Sequence, residues 1–283
     1  MNIKGNWAAL ALLALASLAL ARAPDEVRKQ VEASMLLTGT IDIKPDGSVG
    51  GYAIDAKEKV PDYVLGNITR QVPGWKFEPV LVDGKPVPAR TRMSLRVIAK
   101  PAEDGNFLVS LGGVNFGEYS DDATDQVTRG RLRAPEYPRE AWSVGGKGTV
   151  YLLLKIDRQG KVADQVVEQV NLTAIGDPRQ MKKLRKSLGD ASLKAARSWT
   201  FHLPTTGEAA DAESWSIRVP VNFQLADDGK ARYGTWQAYL PGPRQRASWV
   251  DDEDMSDSPD ALADDGVYPV GGGPKLLTPL HQG

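Results

Sequence analysis

The chain has 283 residues, 41% of them hydrophobic and 25% charged, with a formal net charge of -1. That length holds one large domain or two small ones with linkers, and the near-neutral balance argues against a dedicated nucleic-acid binder, which carries a basic face. Cysteine is absent, which excludes disulfides and thiolate chemistry, and His202 and His281 are the only histidines, too few for a histidine triad or metal cluster. No cofactor, no metal and no catalytic residues are therefore expected, and Asp157, Asp164 and Glu168 read as ordinary turn and strand-face carboxylates.

The N-terminus carries an address. Lys4 precedes a run of small and apolar residues from Trp7 to Ala21, ending in Ala19-Leu20-Ala21, which fits a signal-peptidase site. The run falls short of the ~20 residues a spanning helix needs. A cleaved signal over 1–21 and a periplasmic mature protein are expected, with an uncleaved inner-membrane anchor as the alternative.

From Leu37 the pattern alternates. Leu37, Gly39, Ile41 and Ile43 line one strand face, and Lys44-Pro45-Asp46-Gly47 turns the chain into a return strand ending near Asp55. Residues 61–71 read as a short helix with Val64, Leu65 and Ile68 as its buried stripe, stopped by Pro73-Gly74. Trp75 and Phe77 follow, then a strand with Met93, Leu95 and Val97 inward and Arg90, Arg92 and Arg96 outward. Residues 101–134, rich in Gly, Asp and Ser, read as a linker with one short strand at Phe107 to Leu111.

A second globular stretch opens on Tyr137-Pro138. A helical turn toward Trp142 is stopped by Gly145-Gly146, and a strand from Thr149 to Ile156 turns at Asp157-Arg158-Gln159-Gly160 into a return strand. There the apolar face switches at Val166-Val167, which predicts a bulge. Asp177-Pro178 starts a helix, with an N-cap acceptor followed by a residue whose missing N–H is no loss. Met181, Leu184, Leu188, Ala191, Ala195 and Trp199 form its apolar stripe, and Trp199-x-Phe201 leads to the last strand.

That strand, Ser214 to Leu225, alternates throughout. Trp215, Ile217, Val219, Val221, Phe223 and Leu225 share one face; Ser216, Arg218, Pro220, Asn222 and Gln224 share the other. Pro220 has no N–H for a ladder, so an edge strand with a free outer side is expected. Such an edge accepts another chain's strand. From residue 226 the chain turns to Pro, Gly and acidic residues with few apolar groups, so 226–283 is expected to be mostly disordered, with Trp236, Tyr239 and Trp249 as short docking points.

The two globular stretches share an order of hairpin, helix, Trp-x-Phe and alternating strand. The second resembles the C-terminal domain of TonB-type energy transducers. That resemblance spans 135–225 and rests on Tyr137-Pro138, Ala141, Gly145, Gly148, Ile156-Asp157, Gly160-Lys161-Val162, Leu193 to Ala196, Trp199-x-Phe201 and Val219-Pro220-Val221-x-Phe223. The first, 34–100, resembles a diverged copy. Where the family often has Ser-Ser-Gly, this chain has Asn171-Leu172-Thr173. The resemblance implies an α+β fold of two tandem units, each a three-stranded antiparallel sheet with one or two helices packed on one face. It also implies a periplasmic module whose last strand pairs with an extended segment of an outer-membrane TonB-dependent transporter or other envelope protein, in support of transport. Tyr137, Pro138, Ser216, Arg218, Pro220, Asn222 and Gln224 are the expected partner-binding residues. The alternative is a structural or peptidoglycan-associated scaffold, self-associating as a homodimer through the same edge.

Overall fold

The structure, a computed structural model, describes residues 32–102, 107–174, 176–225, 232–251, 258–262 and 266–280. The expected signal segment, most of the acidic run from Asp251 and His281 lie outside these residues. The fold is α+β with antiparallel strands. It divides into two compact units: the first holds the described residues of Met1–Glu118, Lys230–Tyr239 and Gly272–Gly283, and the second those of Tyr119–Gly229 and Leu240–Gly271.

In the first unit β1 (Glu32–Ile43) is the spine. One side of it pairs with β3 (Ala89–Pro101) from Ala33↔Ala99 to Ile43↔Ala89. Its other side takes β2 (Val49–Ile54) and the short strand Gln237–Tyr239, and β4 (Phe107–Phe116) lies outside β3. The sheet therefore has five strands where three were expected. The additions come from the supposed linker and the supposed disordered tail, because Leu111, Val114 and Phe116 complete the same core as Met35, Leu37, Ile41 and Leu95. Helix α1 (Asp62–Gln71) closes that core with Val64 and Ile68. Trp75 and Phe77 meet Phe116 edge-on, at ring-centroid distances of 5.9 and 4.9 Å. That is the geometry in which the positive ring edge meets the negative face.

In the second unit, helix α2 (Arg139–Ser143) is followed by β5 (Gly148–Ile156), β6 (Val162–Leu172), α3 (Pro178–Ala196), β7 (Trp215–Phe223) and the two-residue strand β8 (Tyr268–Pro269). The sheet order is β8-β7-β5-β6. Helix α3 begins with a capping box: the Asp177 carboxylate accepts from the Arg179 and Gln180 N–H groups while the Gln180 side chain accepts from the Asp177 N–H. Its stripe of Met181, Leu184 and Leu188 is buried, and Gly189 lets it approach the sheet so closely that a Cβ there would sit 3.2 Å from Val167.

One local arrangement occurs in both units. Gly47 and Gly160 close four-residue turns with φ of 75° and 69°, a conformation that costs an L-residue ~1–2 kcal/mol. Each accepts a hydrogen bond of 2.8 Å from the N–H of the Phe in Trp-x-Phe, Phe77 or Phe201. The backbones lie so close that a Cβ on Gly160 would fall 2.3 Å from the Phe201 carbonyl oxygen. Gly160→Ala is therefore expected to destabilise the second unit by about 2 kcal/mol or more, measured as a lowered denaturation midpoint with an unchanged slope.

The face of the second sheet opposite α3 is not wet. Leu153 is fully buried there with Ala247, and Val166, Trp249, Val250 and Val270 pack around them. Described residues of the 226–283 stretch thus pack against the sheet of one unit or the other. The stretch carries too few apolar groups for a core of its own, but those it has complete surfaces that the two sheets leave open. Trp236 packs into the first core, its indole N–H donating to the Tyr63 hydroxyl at 2.8 Å.

Candidate functional site: the outer edge of the last strand

The inner side of β7 pairs with β5 along its full length, from Trp215↔Ile156 to Phe223↔Gly148. Its outer side is the expected docking edge, and that edge is partly taken. Strand β8 pairs there antiparallel, Ile217↔Pro269 and Arg218↔Tyr268, and the Val270 N–H donates to the Ser216 carbonyl at 2.9 Å. The expectation of an edge free along its whole outer side is corrected at Ser216 to Arg218. Because Ser216 turns its backbone outward, residues two apart from it do the same. Pro220 therefore stands where its missing N–H faces away from β5, which reconciles a proline with unbroken pairing to that strand.

Beyond β8 the edge borders a groove. It encloses about 500 Å3, lined by β7 from Val219 to Asn222 and by the chain from Arg129 to Pro135, with Asp121, Trp199 and Gly266. The Arg129 segment, expected to be linker, is held by Trp-x-Phe: Thr128–Arg129 pairs with Phe201–His202, and the Trp199 indole donates to the Arg133 carbonyl at 2.7 Å. At the far end of β7, Tyr137 sets its ring edge-on to Phe223 and Trp142, at 5.4 and 5.5 Å, while its hydroxyl donates to the Gly146 carbonyl at 2.6 Å. Trp142 itself is 55% exposed. The structure thus brings Tyr137, with Pro138 at the start of α2, to the end of β7.

The other expected site residues divide. Asn222 and Gln224 are exposed, and Asn222 accepts a 2.8 Å hydrogen bond from the Thr149 hydroxyl. Ser216 is half-buried under β8, and Pro220 is buried. Arg218, expected to face a partner, is 1% exposed and is corrected to a structural residue. Its guanidinium donates to Glu168 Oε2 at 2.8 Å, while the other carboxylate oxygen takes two hydrogen bonds from Arg244, at 2.9 and 2.6 Å. Glu168 is therefore no ordinary strand-face carboxylate. It is the extra residue of a bulge, since Tyr151↔Gln169 is followed by Leu152↔Val167. The irregularity falls just past the Val166-Val167 switch in the pattern, and it turns the carboxylate into the packed face.

Around the groove the charges are tied together. The Arg129 guanidinium and the Tyr119 hydroxyl both donate to Asp121, and Arg129 also lies over the Tyr119 ring, 5.4 Å from its centroid. These hydrogen bonds, that from Arg129 first, lower the Asp121 pKa to about 2. Burial, with the bond to Asp121, pushes the Tyr119 phenol up to about 12. A depressed carboxylate contributes stability that is complete above its unfolded value of ~3.9 and is lost as the pH falls toward 2. Asp121→Asn is expected to flatten the acid side of the stability curve between those values, by a small amount because the pair is solvent-screened. Denaturation midpoints from pH 2 to 5 measure it.

Sequence reasoning took Glu168 for an ordinary carboxylate and missed Arg244 and β8. A signal for β8 existed: Val267-Tyr268-Pro269-Val270 is an extended, β-prone run bracketed by Gly266 and Gly271. Asn171 is buried and fixes the same region. Its side chain accepts from the Gly242 N–H at 3.0 Å and donates to Asp260 at 3.3 Å.

Among the described residues, no group of three or more His, Cys, Asp or Glu is placed to hold a metal ion, and no helix is long and apolar enough to cross a membrane. No protein-family model matches the chain, and no solved structure matches it. Two curated proteins do: Protein TonB from two strains of Xanthomonas campestris pv. campestris, each 30% identical over 104 residues. The match covers 36% of this chain and 40% of either relative, so the chain's similarity to Protein TonB is that of a part to a part.

Proposed function

We propose that the second unit is a non-catalytic, TonB-like protein-interaction module of the cell envelope, which takes an extended segment of a partner alongside β7 in support of transport. One observation carries this reading: the outer edge of β7 accepts a strand, Tyr268–Pro269, in regular antiparallel register. A main chain that pairs with one extended segment has the geometry to pair with another, because ladder hydrogen bonds are blind to sequence. The similarity to Protein TonB supports an envelope location, periplasmic or anchored. It supports an outer-membrane TonB-dependent transporter or another envelope protein as the partner. The aromatic cluster of Tyr137, Trp142 and Phe223 lies where a partner following β7 would leave the sheet. The shared turn at Gly47 and Gly160 supports reading the first unit as a diverged copy.

A photoreactive residue at Asn222, irradiated in cells, tests this. An envelope protein captured through one defined extended segment is the expected result. Capture of nothing from Asn222, in a chain that is exported and folded, would contradict it.

A further inference from the structure

The edge of β7 is held by a segment of the same chain, and the way it is held matters. We propose that Gly266–Val270 is an intramolecular pseudo-ligand, which occupies part of the strand-addition site and which a partner's segment must displace. This rests on reading β7 as the partner edge.

The contact is real but small. Only Ile217↔Pro269 and Arg218↔Tyr268 are in register, with the Val270 N–H bonded to the Ser216 carbonyl. Two-residue strands contribute few ladder bonds, so this one opens more easily than β5 leaves β7, with nine residue pairs from Trp215 to Phe223. Pro269 faces Ile217, whose backbone serves β5. The proline's missing N–H is thus directed away from β7, and the cap offers no good template for a further strand.

Side chains supply the rest of the hold. The Tyr268 ring lies 6.0 Å from that of Tyr119, which Asp121 and Arg129 fix in place. It folds back over Gly266 so closely that a Cβ on that glycine would fall 2.3 Å from the ring. Val267 is fully buried, and Val270 joins the cluster around Leu153 and Ala247. Beyond Gly266 the edge continues as the groove of Val219 to Asn222. The cap thus covers one end of the site and leaves the other as a place where an incoming segment can begin to pair.

The cap also indicates what the site takes. An aromatic residue opposite Arg218 and a β-branched one opposite Ser216 are two apart, so both point to the same sheet face. A small residue two positions before the aromatic leaves room for its ring. The fitting partner segment is therefore extended, with the pattern small-x-aromatic-x-aliphatic. As the cap is covalently attached, its effective concentration is high, and a partner binds with an affinity reduced by the fraction of chains in which the edge is open.

The test compares the full chain with its Tyr268→Ala/Val270→Pro variant, which loses the ring contact and the hydrogen bond to Ser216. The probe is the synthetic peptide Gly-Val-Tyr-Pro-Val-Gly, the chain's own 266–271 sequence, titrated against the backbone amide resonances of Ser216 to Val219. Binding at least about tenfold tighter in the variant is expected, and in the unmodified chain the Val270 amide should exchange with solvent faster than those of β5. Equal binding to both proteins, or Val270 exchange as slow as that of Leu152, would overturn the cap while leaving β7 as a partner edge. Binding to neither, with both folded, would overturn the pseudo-ligand outright. The Asn222 crosslink then decides separately whether a partner uses β7.

Discussion

Glu168→Ala is expected to cost the second unit about 3–5 kcal/mol, the penalty for removing one member of a buried ion pair. The carboxylate is fully buried, and so is the Arg218 guanidinium bonded to it, whereas Arg244 is about one-third exposed. Alanine leaves Arg218 charged in a low-dielectric site without the Glu168 carboxylate, and desolvation of that charge dominates the loss. Arg244→Ala should cost much less, about 1 kcal/mol, because one guanidinium still neutralises Glu168 and the side chain removed is partly hydrated. The double variant Glu168→Met/Arg218→Leu should recover most of the loss, as apolar replacements of buried pairs often do. Urea denaturation of the three variants distinguishes these outcomes.

Trp199→Ala is the second large effect, at about 3–5 kcal/mol for a core tryptophan. Trp199 is 3% exposed and lies three residues past the end of helix α3 at Ala196. It buries its ring beneath the groove, and its N–H holds the Arg133 carbonyl. Alanine opens a cavity and also releases the Arg129 to Pro135 wall of the groove. Trp199→Phe keeps most of the apolar area but not the donor, so a loss nearer 1 kcal/mol is expected, that of a single hydrogen bond. If both substitutions cost the same, the hydrogen bond to Arg133 is what matters and the packing is not. Thermal or urea midpoints of the two variants measure this.

The elements with strict periodicity were legible from the residues. Alternation gave β1, β3, β5 and β7, and Asp177-Pro178 with the stripe from Met181 gave α3. These patterns record which face of an element is apolar, and burial on one face is enough to create them. What lay beyond was set by segments distant in the chain. Arg218 was placed on the correct sheet face, opposite Ile217 and Val219, but alternation cannot tell a face covered by water from one covered by residues 240–250. Ala247, Trp249, Val267 and Val270 each dock singly among Gly, Pro and Asp, leaving no period to detect. β4 was read only in its first half, because Gly112 and Gly113 break its alternation where the pairing to β3 shifts at Arg96/Val97. Pro220 marked a position on β7 whose missing N–H faces away from β5, but the occupation of that outer side by Tyr268–Pro269 was not legible.

The most direct test of β7 as a partner edge is isotope-filtered NMR of the chain bound to the segment that the Asn222 crosslink identifies. Antiparallel strand addition, the direction in which Tyr268–Pro269 pairs, requires contacts between the α-hydrogen of Val221 and the α-hydrogens of the bound segment, and addition in either direction requires slowed solvent exchange of the outward-facing Asn222 amide. A segment that binds while Asn222 exchanges at its free rate, with no such contact at Val221, would contradict pairing at this edge.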